Sequence, residues 1–248
     1  MDITPTNPSL ADQLAAAQEW WADAGVDCVF EDEPQAWLAD PESEQAAAPQ
    51  AAPKAEAAPP PPAPKIGGDP SAWPADLPVF RGWWTENCRI EGSGSRPCIA
   101  PRGPAGADLM ILVPMPEEQD SDTLLSGPQG QLLANFLKAA NIAPERAYIA
   151  SMMPRHMAMP DWPGLGQQGL GALALHHIAL AAPKRLLVLG SKIPPLLGHD
   201  PAAGLSPIAP VDANGTQVPA LMTHGLEQMM QHGKLKARLW HNWLEWTA

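Results

Sequence analysis

Four short apolar runs constrain the fold of this chain more than any other feature: DLMILV (108–113), AYIASM (147–152), RLLVLG (185–190) and VPALMT (218–223). None alternates apolar with polar residues, so each reads as a strand buried on both faces, which is the condition of a parallel sheet covered by helices. Helical periodicity fills the intervals. Leu132, Leu133, Phe136, Leu137 and Ala140 share one face of a helix within GQLLANFLKAAN, a second helix is expected from Gln168 to Ala182 with Pro183 ending it, and a last one runs from Leu226 through Met229, Met230, Trp240, Trp243 and Leu244. Strands alternating with helices imply an α/β domain, a three-layer αβα sandwich around a short, mostly parallel sheet. Sites in such folds occupy the loops beyond the C-terminal strand ends, here Pro114 to Gly130, Ser151 to Gly166, Gly190 to Gly204 and the turn at His224.

The sandwich needs only part of the 248 residues. Residues 1–72 carry 13 Asp/Glu against 2 Lys/Arg, whereas 73–248 carry 14 against 13, so nearly all of the net charge of -12 lies in the leader. Residues 1–40 read as an acidic, Trp-containing helical leader: Ser9 caps a helix with Asp12 in the capping-box position, Leu10, Leu14, Ala17 and Trp21 form a narrow stripe, and Gly25 stops it. Residues 41–72 are Pro/Ala-rich and read as a disordered linker, leaving 73–248 as the folded body. A single apolar stripe cannot hide its own tryptophans, so Leu14, Trp20, Trp21 and Trp37 either fold back on the body or dock on another protein.

Several classes are excluded or disfavoured. The N-terminus has no basic segment followed by an apolar one, and no run approaches 18 apolar residues, so neither secretion nor a membrane span is expected. Cys28, Cys88 and Cys98 form no paired motif, which fits a reducing cytoplasm. No phosphate loop or dinucleotide fingerprint is present, and no cofactor is expected. No Lys/Arg cluster stands out, although Arg89, Arg96 and Arg102 around a Gly/Ser loop could approach a DNA backbone.

From about Pro101 onward, the runs GADLMILVPMPEEQD, LLSGPQGQLLANFLKAANIAPERAYIASMM, PKRLLVLG and VPALMTHG resemble, in order and spacing, the uracil-DNA glycosylase superfamily of the thermostable iron-sulfur type. The resemblance implies the αβα fold and a base pocket at Pro114, Met115, Leu125 and Ser151. Where that family places a water-handling residue this chain has Pro114, which has neither a side-chain oxygen nor an N–H; Glu117, Glu118 or Asp120 would have to act from a shifted position. Leu125 stands near the family's stacking aromatic and Ser151 at its base-reading Asn, neither reproducing the original chemistry. His224 matches the histidine that stabilises charge on the departing base, with capping of the following helix as its structural alternative. Of the four cluster cysteines only Cys88 and Cys98 have counterparts, so no iron-sulfur cluster is expected; a metal site adding His176 or His177 is the remote alternative. A Trp-bearing arm on a tether before an eroded glycosylase-like body is also similar to the layout of the psi subunit of bacterial clamp-loader assemblies. The expectation is therefore a noncatalytic, glycosylase-like interaction subunit in DNA replication or repair, with a protein partner gripped by the leader and DNA as a further partner; the alternative is an active uracil-DNA glycosylase.

Overall fold

The four apolar runs do form the parallel part of one sheet. In a computed structural model, which describes residues 9–25, 65–87, 96–199 and 207–248, the chain divides into two units, Met1–Pro60 and Pro61–Ala248. The first unit contributes helix α1 (Leu10–Asp23). Its capping box is made as the sequence predicts, with Asp12 N–H donating to Ser9 Oγ at 3.2 Å and Ser9 N–H donating to Asp12 Oδ2 at 3.1 Å. Gly25 follows at φ +80, a left-handed conformation that ends the helix without Cβ strain.

In the second unit the order of elements is α2 (Leu77–Asn87), β1 (Leu109–Val113), α3 (Pro128–Ala139), β2 (Ala147–Ser151), α4 (Trp162–Gln167), α5 (Leu170–Ala181), β3 (Leu186–Leu189), β4 (Ile208–Ala213), β5 (Thr216–Thr223), α6 (Leu226–Gln231) and α7 (Gly233–Thr247). The five strands lie in the order β2-β1-β3-β5-β4, all parallel except the β4–β5 pair. Side chains of successive strand residues point to opposite faces, and both faces are covered. Met110, Leu112, Tyr148, Leu186, Val188 and Met222 pack with Phe80 and Trp84 of α2 and with α5. Leu109, Ile111, Val113, Leu187, Leu189 and Leu221 pack with α3, α6 and α7. Burial on both faces is why the strands lack alternation, and it makes a three-layer αβα sandwich.

Several boundaries differ from those the sequence suggests. The body takes in residues upstream of 73: Ile66 is buried in the core, its N–H bonds Gln168 O at 2.9 Å, and Trp73 Nε1 bonds Gly67 O at 2.9 Å. The helix expected across 168–182 is α5, Leu170–Ala181, and a short helix not read in the sequence, α4, precedes it and is broken from it at Gly169, which adopts φ +92. The last helix is likewise broken at His232, whose φ of -127 and ψ of 101 are extended. Met229 and Trp243 are buried in the same core cluster, with Trp240 packed against it, while Met230 and Leu244 stay exposed. Helix α2 and strand β4 were not anticipated. Pro210 hides β4 from a strand reading, yet edge strands accept proline, and the Asn214-Gly215 turn at φ 53 and 89 closes it on β5 as a hairpin. Among the described residues no helix is long and apolar enough to cross a membrane.

Candidate functional site at the strand ends

Strand order reverses direction about β1, so the crevice available to a ligand lies past the carboxyl ends of β1 and β3. Pro114 follows β1 and Gly190 follows β3. A Cβ added at Gly190 would lie 2.8 Å from Pro114 Cγ, so the proline ring occupies the space that a side chain there would need. Gly190 is also at φ +147 and its N–H bonds Thr223 O at 2.9 Å, tying the ends of β3 and β5 together. Met115 packs partly buried against the core.

Glu117 and Asp120, the carboxylates that would have to position water in an active enzyme, follow Pro114 in the loop after β1, and backbone amides hold them. Asp120 is 6% exposed; its Oδ2 accepts from Glu117 N–H and Leu125 N–H at 2.8 Å each, and its Oδ1 accepts from Ser126 N–H at 2.8 Å and Ser126 Oγ at 2.6 Å. Glu117 is 5% exposed and lies on the start of α3: Oε2 accepts from Gly127 N–H at 2.9 Å and Gly130 N–H at 3.3 Å, and Oε1 from Gln129 N–H at 2.9 Å. An α-helix leaves its first N–H groups unpartnered and its N-terminus partly positive, so a carboxylate there is doubly favoured. The N-cap residue Gly127 has no side chain to do this, and Glu117 replaces it. The oxygens of both carboxylates shape the loop from Pro116 to Gly127. Glu118 is exposed and pairs with Arg96 at 2.6 Å.

The loop that these acids hold is tight. Leu125, expected as a cover for a bound base, has φ +56 and its side chain is buried among Leu124, Leu133 and their neighbours on the α3 face. Gly130 admits no Cβ because the Leu125 carbonyl lies directly against it. Ser151, at the end of β2, is 3% exposed and donates its hydroxyl to Met153 O at 2.6 Å, so its hydrogen is committed to the chain. His224 is half-buried just past β5, and among the described residues its ring has no hydrogen-bond partner; Gly225 caps α6 without a side-chain bond, so His224 does not cap that helix. Pro114, Glu117, Asp120, Ser151 and His224 thus lie at one end of the sheet, and His224 is the one polar side chain of these without a hydrogen-bond partner among the described residues.

Other expected positions fall elsewhere. Arg96 is paired with Glu118, and Arg102 extends beside the edge strand, where its backbone exchanges two hydrogen bonds with Ile149 at 2.7 and 2.9 Å. Arg89, Trp37, Cys28 and Cys88 lie outside the described residues. Cys98 Sγ accepts from Arg155 at 2.7 Å. His176 bonds Pro74 O at 2.8 Å and His177 bonds the Tyr148 hydroxyl at 2.8 Å, which engages both histidines within the fold, and no cluster of metal-binding side chains is found among the described residues. His177 belongs to a buried group that sequence reasoning missed. Phe80 lies 4.6 Å from its ring, Arg81 stacks over Tyr148 at 5.1 Å, and burial first, then the charge of Arg81, pushes its pKa down to about 3. The signal was Phe80, Arg81 and Trp84 at helical spacing in LPVFRGWW, upstream of the first recognised strand.

On α1, Leu10, Leu14, Trp20 and Trp21 are 84, 61, 63 and 52% exposed, and the helix has no buried residue. No known protein-family profile matches the chain, and no curated protein matches it in sequence.

Proposed function

We propose that the body is a glycosylase-like fold kept for interaction rather than for base excision, and that the chain serves as a noncatalytic subunit in DNA replication or repair, engaging a protein partner through its leader. The engagement of Asp120 and Glu117 by loop amides is the observation that carries this reading. Excision needs a residue to position water, one to read the base edge and one to stabilise the leaving group. At the strand ends Pro114 has no polar side chain, both carboxylates are occupied, Ser151 is bonded to its own loop, and only His224 remains. Leader binding is supported by the exposed Leu14, Trp20 and Trp21 stripe, since aromatic anchors of this kind dominate helix-in-groove interfaces.

The test is quantitative partner capture with the full chain against a Trp20→Ala/Trp21→Ala variant. Both substitutions are on an exposed face, so the body folds unchanged and capture falls at least tenfold. Equal capture by the variant contradicts the leader's role. The free ring of His224 favours a second reading, an active uracil-DNA glycosylase, which a direct excision assay separates from the first.

A further inference from the structure

Away from the strand-end crevice, the opposite side of α3 borders two adjoining hollows. One, of about 810 Å³, lies along the edge strand β2 and the C-terminal half of α3, with Arg102, Lys138 and Arg146 on its walls and Leu133, Leu137 and Ile149 on its floor. The other, of about 540 Å³, lies at the N-terminal ends of β1 and β3 and is lined by Arg146, Lys184, Arg185 and Asp108. Asn141, Ile142 and Arg146 line both, so the two form one track. Five basic residues face it against one acid. Asp108 is itself paired with Lys184 at 2.8 Å and with Arg146, which hold its carboxyl below the usual carboxylate range. Two of the last carbonyls of α3, which would repel an anion here, have backbone donors of their own: Leu137 O accepts from Ile142 N–H at 2.9 Å and Lys138 O from Asn141 N–H at 3.2 Å.

We infer that this track binds a single strand of nucleic acid. Arg102, Arg146 and Arg185 carry planar guanidinium groups suited to phosphate, Arg102 with its Nε donating to Leu124 O at 3.3 Å and Arg185 lying over the Trp246 ring at 5.5 Å, and Lys138 adds a point charge. A concave track with an apolar floor has room for an unstacked base, which a duplex does not offer, and it does not fit the flat surface of a membrane. The concentration of charge is local: the chain as a whole is at -12, so it has no general attraction for a polyanion, and affinity requires a site. This inference is independent of the strand-end histidine and of the leader.

The experiment is fluorescence anisotropy of a labelled oligothymidylate with the full chain at 50 and 200 mM salt. With a net of four positive charges on the track, the slope of log affinity against log salt is about -2.8, a loss of about 50-fold across that range. Lys138→Gln/Arg146→Gln lowers affinity at least tenfold at the lower salt and flattens the slope by about 1.4. Arg102→Gln/Lys138→Gln gives the same result by a pair that leaves Asp108 with both partners. Lys192→Gln/Lys234→Gln, an equal charge change away from the track, leaves affinity within about twofold. Thermal melts identify any variant that has lost its fold. Equal losses in track and control pairs, wild-type binding weaker than about 100 μM at 50 mM salt, or equally effective displacement by duplex DNA or polyglutamate would each overturn the inference.

Discussion

Replacing Asp120 by alanine removes the side chain around which the loop between β1 and α3 is wound. Its two oxygens accept from three backbone N–H groups and one hydroxyl, all at 2.6–2.8 Å, and the carboxylate is 6% exposed. Hydrogen bonds to a charged acceptor contribute about 1.5–3 kcal/mol each, but bonds to one carboxylate are not additive, and deletion also removes the cost of burying its charge. A loss of about 4 kcal/mol follows, because the amides of Glu117 and Leu125 are left buried with no acceptor. For a body of this size that is roughly 8–16 °C in Tm. Asp120→Asn keeps one oxygen but turns an NH2 group toward two donors, so it recovers at most half of the loss. Asp122→Ala, on the exposed part of the same loop, shifts Tm by no more than about 2 °C and serves as the control. Differential scanning calorimetry reads all three. A Tm for Asp120→Ala within about 2 °C of wild type would refute the structural assignment and return Asp120 to the candidates for a catalytic acid.

Other outcomes follow from the same packing. Burial holds His177 neutral in the folded state, with its pKa at about 3, whereas in the unfolded chain it takes up a proton near pH 6.5. The unfolded state therefore binds more protons between these values, and stability falls by about 1.4 kcal/mol per unit as pH drops through that window; chemical denaturation from pH 7 to 4 should show a shallower loss for His177→Phe than for wild type. Gly130→Ala meets the Leu125 carbonyl and should cost about 2 kcal/mol or more, with an unchanged urea midpoint counting against the close approach seen here. Trp243→Ala removes a ring lying 5.3 Å from Phe136 and 5.6 Å from Trp246 and should cost about 3–5 kcal/mol, while Leu244→Ala, half exposed, stays within about 1 kcal/mol. Truncation after Leu235 removes the same contacts and should abolish the cooperative thermal transition.

The sheet was legible because its strands are buried on both faces: DLMILV, AYIASM, RLLVLG and VPALMT all supply strands of the sheet, displaced by at most two residues from the positions read in the sequence. Strand β4 was not, since Pro210 and the exposed alternate residues of an edge strand remove the apolar signal. The short helix α4 before Gly169 and the break at His232 escaped for a different reason. The six residues of α4, WPGLGQ, are too few and too rich in Gly and Pro to show a period, and at His232 periodicity continues while the backbone dihedrals turn. Pro114, Glu117, Asp120, Ser151 and His224 all lie at or past the carboxyl ends of parallel strands, which their order in the sequence suggests, but spacing could not say where the carboxylate oxygens point. That depends on which amides the loop leaves unpaired, a property of its fold after Leu125 enters the left-handed region. The basic track was invisible for a similar reason: Arg102, Lys138, Arg146 and Lys184 come from separate segments of the chain and line adjoining hollows only in the folded domain.

The most direct test of the central claim is single-turnover incubation of excess full-length protein with single- and double-stranded oligonucleotides containing one uracil, beside a His224→Ala variant. The account predicts no excision by the wild type above the variant's background, with both proteins giving the same cooperative melt. Excision by the wild type that disappears with His224→Ala would contradict it and establish a glycosylase that acts without the loop-bound carboxylates.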